Sequence, residues 1–91
     1  MHMRYTLIIK SENVPGTLYR IAGLLLRKKI NIENLYVKRV DQKRHTSHFI
    51  IEIFLSPHLM AKLIKQIDRA VEVTHAEYHR TSSQKRFVRS V

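Results

Sequence analysis

Thr46-Ser47-His48-Phe49-Ile50-Ile51-Glu52-Ile53-Phe54-Leu55-Ser56-Pro57 changes its period near the end, and that change decides the fold. Up to residue 55, Phe49, Ile51, Ile53 and Leu55 alternate with His48, Ile50, Glu52 and Phe54, the two-residue period of a strand. Both sets are largely apolar, which predicts a central strand rather than an edge. Ser56-Pro57 then starts a helix by a definite mechanism. The serine oxygen accepts from a free amide as N-cap, and proline at the first helical position gives up a donor that has no partner there. Beyond it Leu59, Leu63 and Ile67, with Met60 and Ile64 beside them, return to one helix face.

Working outward, Ile30 to Val40 reads as a strand, and the polar Asp41 to Arg44 as the hairpin connection, without the Asn-Gly or Asp-Gly pair that usually marks one. Earlier still, residues 4–10 alternate with Tyr5, Leu7 and Ile9 on one face. Ser11 to Gly16 carries Asn, Pro and Gly and breaks that strand. From Thr17 to Lys29, Leu18, Ile21, Ala22 and Leu25 fall at helical spacing, widened by Leu24 and Leu26, and Arg27-Lys28-Lys29 suits the negative end of the helix dipole. Val71 to Tyr78 gives a last strand. The order β-α-β-β-α-β predicts an α+β, ferredoxin-like domain over residues 1–79, a four-stranded antiparallel sheet with both helices on one face. Residues 80–91 are basic and aperiodic, and read as a tail.

Ninety-one residues give one small core, close to the size at which pairing with another chain or a copy adds needed stability. A homodimer is expected, because two sheet edges lack partners. With no cysteine, disulfides and thiolate metal sites are excluded, and a reducing, cytoplasmic setting is the expectation. No apolar run is long enough to cross a bilayer, so no membrane role is expected. Seventeen Lys and Arg against seven Asp and Glu give a net charge of +10. It gathers at Arg27-Lys28-Lys29, at Lys38, Arg39, Lys43 and Arg44, and at Arg80, Lys85, Arg86 and Arg89. Such clusters suit nucleic acid, an acidic protein partner or plain solubility, and composition does not choose.

The first turn narrows the field. Glu12-Asn13-Val14-Pro15-Gly16-Thr17-Leu18, then Ile21-Ala22-Gly23-Leu24-Leu25, then Ile30-Asn31-Ile32-Glu33-Asn34-Leu35, resembles the ACT domain family. Within it, the stretch looks like the small regulatory subunits of acetolactate (acetohydroxyacid) synthase. Ile67-Asp68-Arg69-Ala70-Val71-Glu72-Val73 resembles that family's passage into the last strand. The resemblance covers residues 4–78. It implies a non-catalytic subunit that binds and activates the large, thiamine-diphosphate-dependent subunit, with no cofactor of its own. It also implies feedback inhibition in branched-chain amino acid biosynthesis by valine, leucine or isoleucine, bound where two ACT domains meet.

By matching position, the effector residues implied are Asn13, Gly16 and Asn31, with the backbone amides of Val14 and Thr17 as neighbours. The chemistry suits a zwitterion. Gly16 lets a carboxylate approach the helix start, whose amides and dipole favour an anion. Asn13 and Asn31 each offer a donor and an acceptor. Taken without the family pattern, Pro15-Gly16 is only a turn, and Asn31 is a candidate to end the helix in left-handed geometry. Gly23 reads as a packing position. The six histidines lack a helical i, i+4 pair or a recognisable ligand set, so no metal is expected. Nothing resembles a catalytic constellation or a phosphate loop.

Two other functions compete. A free-standing ACT amino-acid sensor would act on a different target. A nucleic-acid binder would use the +10 charge, but the Lys/Arg-Gly-Phe/Tyr motif of RNA-binding sheets does not surround Tyr5, Tyr36, Phe49 or Phe54, which ranks it last.

Overall fold

The computed structural model describes residues 1–12, 14–41, 43, 46–70 and 73–81. They form β1 (Met3–Ser11), α1 (Val14–Arg27), β2 (Asn31–Asp41), β3 (Thr46–Leu55), α2 (Pro57–Asp68) and β4 (Val73–Arg80). The strands make one antiparallel sheet in the order β2-β3-β1-β4. This is the ferredoxin-like arrangement expected, with β3 inside the sheet and β2 and β4 at its edges.

One face of the sheet supplies Tyr5, Leu7, Ile9, Phe49, Ile51, Ile53 and Leu55 to the core, the alternating set of β1 and β3. Ile21 and Leu25 of α1 and Met60, Leu63 and Ile67 of α2 join the same cluster, so both helices cover that face. Each such side chain contributes about 1.5–3 kcal/mol by leaving water. Among the described residues no helix covers the other face, which is tied by polar contacts. The Asn34 amide donates to Glu52 Oε1 at 2.8 Å, and Arg4 Nε donates to Glu33 Oε1 at 2.6 Å. Glu33 stands where the β2–β3 register shifts between Ile32 and Asn34, so the ion pair ties that irregularity to the start of β1.

α2 begins as its sequence dictates. Ser56 is extended (φ −73°, ψ 152°), its Oγ accepts from Leu59 N at 3.1 Å, and Pro57 opens the helix. Among the described residues, no helix is long and apolar enough to cross a membrane.

The structure differs from the sequence reading at α1. The helix starts at Val14, three residues before Thr17, so Pro15 and Gly16 lie in its first turn. Proline's fixed φ suits that turn, and its missing N–H would be unpaired there in any case. Leu18 and Leu26, expected on the core stripe, are exposed, while Thr17 is buried. At the far end Lys29, not Asn31, takes the left-handed geometry, with φ 56°. Lys29 N bonds Leu26 O at 3.0 Å and Ile30 N bonds Leu25 O at 3.0 Å, the paired bonds of a Schellman ending. Ile30 and Leu25 are both buried, which supplies the hydrophobic contact that accompanies this ending. At the C-terminus β4 runs through Arg80, so that residue of the expected tail belongs to the sheet, and Thr81 N beyond it bonds Arg4 O of β1 at 3.0 Å. Residues 82–91 and most of the 42–45 turn lie outside the described residues.

Candidate functional site

The expected effector site centres on the first turn of α1. β1 ends at Ser11, and the Ser11 and Thr17 hydroxyls share a buried hydrogen bond that pins the start of α1 to the end of β1. The Thr17 side chain is thereby committed to the interior, and only its backbone belongs to the helix start. Gly16 is the third residue of α1 and is partly exposed. Neither glycine of the chain has positive φ, so a side chain at Gly16 meets no backbone penalty. The first turn contains no acidic residue, so the positive end of the helix dipole has no carboxylate of its own there. Val14 is the first helical residue, and Asn13 lies outside the described residues.

Asn31 stands at the opposite end of the sheet. It opens β2, exposed, beside Phe54 of β3, and Phe54 in turn pairs with Arg4. Ser11, next to the α1 start, pairs with Ser47, which pairs with Arg39 at the other end of β2. Arg4 and Ser11 are seven residues apart on β1, about 24 Å of strand. Within one chain the structure does not bring Asn31 to Gly16.

The sequence reading missed a small polar cluster beneath the α1 start. Ser11, Thr17 and Ser47 are all buried, and Ser47 Oγ has no hydrogen-bond partner among the described residues. Serine at a strand end looks like turn chemistry; only the register, which puts Ser11 beside Ser47, reveals the cluster.

Other candidates resolve as follows. Among the described residues Gly23 serves no close packing: an added Cβ would meet only Arg27 Nη1, at 3.7 Å. His75 Nε2 lies 2.8 Å from Glu77 Oε1, with both side chains about half exposed. That contact, with help from Lys10 and His79, holds the Glu77 carboxyl below its usual range. Tyr5 and Phe49 are core residues, so neither can stack a base. Tyr36 and Phe54 are exposed, and the Phe54 ring lies 5.4 Å from that of His2.

Comparison with known proteins agrees with this fold. A probable acetolactate synthase small subunit from Archaeoglobus fulgidus is 33% identical over 70 residues, covering 77% of this chain and 43% of the relative. The chain thus spans less than half the length of that relative. The crystal structure of an acetolactate synthase small subunit from Thermotoga maritima superposes with a TM-score of 0.70 at 21% identity, covering 82% of this chain and 46% of the other. The ACT domain of GTP pyrophosphokinase from Chlorobium tepidum gives 0.71 at 16% identity, over 87% of this chain and all of that one. Residues 7–75 match the family described as the AHAS small subunit-like ACT domain, and the chain belongs to that family.

Proposed function

We propose that this chain is a non-catalytic regulatory subunit of acetolactate synthase, binding the large catalytic subunit and raising its activity. The observation that carries this reading is the family match over residues 7–75, supported by the relative at 33% identity. The working unit is a homodimer joined along β2, the longer of the two edge strands. Ile32, Leu35 and Val37 of that edge, each partly exposed on the helix-facing side, would be covered by the pairing.

The same dimer gives the effector site a physical form. Two β2 strands crossing antiparallel about a two-fold set the start of one beside the end of the other. Asn31 of one copy then reaches the level of Ser11 and the α1 start of its partner. A branched-chain amino acid, valine first, would set its carboxylate against the amides near Gly16. The polar groups of Asn13 and of the partner's Asn31 would take the remaining contacts. Binding that favours one arrangement of the interface would bias the two-state equilibrium that allostery requires.

Reconstitution with the large subunit from the same organism tests the function. The expected result is a stable complex with acetolactate production several-fold above that of the large subunit alone. No association and no activation would overturn it.

A further inference from the structure

α1 carries a second stripe, on the side away from the core. Opposite Ile21 and Leu25, residues Gly16, Tyr19, Gly23 and Leu26 follow at spacings of three, four and three, the rhythm of a helix-pairing seam. Tyr19 is 84% exposed and Leu26 71%, and the glycines leave gaps between them. With Arg20 and Arg27 they line a groove of about 510 Å³ on the outer surface. Among the described residues the gap at Gly23 is not filled, since only Arg27 Nη1 comes near a would-be Cβ. A glycine inside a helix weakens it relative to alanine, and the fold gains no close contact in return. An exposed apolar stripe rimmed by charged residues is the kind of surface that marks an interaction site.

Charge selects the occupant. α1 contains no acidic residue, and Arg20 and Arg27 stand two turns apart on one flank of the seam. A second copy laid antiparallel would set Tyr19 over Gly23 and Leu26 over Gly16, but it would bring the two arginine flanks together. The chain's own 80–91 segment is also basic. The stripe points away from the sheet, opposite the core residues Ile21 and Leu25, and so is not part of the β2 edge. We infer that the groove docks an amphipathic helix of a partner protein, with a large apolar residue facing Gly23 and Asp or Glu facing Arg20 and Arg27. Resting on the function proposed above, that helix belongs to the large subunit of acetolactate synthase.

Two variants of the intact chain test this against the purified large subunit by calorimetry and activation assay. Gly23→Leu fills the groove while replacing a poor helix former where there is room for a side chain. It is expected to raise the thermal midpoint yet weaken binding about tenfold or more. Arg27→Glu reverses the flank charge and should weaken binding comparably, with wild-type affinity falling as salt is raised. Wild-type binding and activation with both variants unimpaired would overturn the groove assignment and leave the proposed function standing. A wild type that neither binds nor activates would overturn both. Variants that bind the large subunit normally but lose self-association in light scattering would make a second copy the occupant, and that too overturns the inference.

Discussion

Lys29 occupies the place where a glycine most often ends a helix. Its φ of 56° is imposed from both sides: its own N–H reaches Leu26 O, and the next residue must turn back to Leu25 O so that Ile30 enters the core. A side chain in left-handed geometry costs about 1–2 kcal/mol, offset in part for glycine by its freer unfolded chain. Lys29→Gly is therefore expected to raise stability by about 0.5–1 kcal/mol in urea denaturation, and Lys29→Val to lower it. A glycine variant less stable than wild type would count against the strain at this residue. In the sequence Asn31 is the alternative candidate for this ending, because asparagine tolerates the conformation. What selects the position is the geometry of two hydrogen bonds and one buried isoleucine, which residue preference alone does not reveal.

Among the elements, α2 and α1 show why one helix was legible and the other only partly. At α2 the strand period stops, a cap serine follows and proline comes next, so three independent signals agree. Ser56→Ala removes the acceptor for Leu59 N and is expected to cost about 1 kcal/mol of unfolding free energy, while Ser56→Asp should retain most of the stability. Equal stability of Ser56→Ala and wild type would remove the cap from the account. At α1, Pro15-Gly16 serves a turn and a first helical turn equally well, so the sequence alone sets the boundary three residues late. Apolar residues also surround most of this helix. Periodicity therefore could not tell that Leu18 and Leu26 face outward while Thr17, tied to Ser11, faces in. The central place of β3 was legible because both its faces are apolar. The edge position of β2 was not, because its pattern of Ile32, Leu35 and Val37 resembles that of a covered strand.

At the scale of the whole molecule, the candidate residues were legible as a set but their separation was not, since it follows from the register. Asn31 and the α1 start lie at opposite ends of one sheet. A shared effector site therefore requires two copies, and this sets the decisive prediction. Calorimetry with valine, leucine and isoleucine should show binding to the wild type. Gly16→Asp should abolish it, because bulk and negative charge would stand where the carboxylate approaches. The fold should survive, since Gly16 does not have positive φ. Asn31→Ala should weaken binding by about 1–3 kcal/mol through an unpaired polar contact. The two variants are then co-expressed and assayed at a ligand concentration that neither occupies alone. In a mixed dimer, Gly16 of the Asn31→Ala copy faces Asn31 of the Gly16→Asp copy, which restores one intact site. Random pairing makes half the dimers mixed, so about a quarter of the wild-type sites should return. A site contained within one chain would recover none, and the absence of recovery from verified mixed dimers would rule out the composite site.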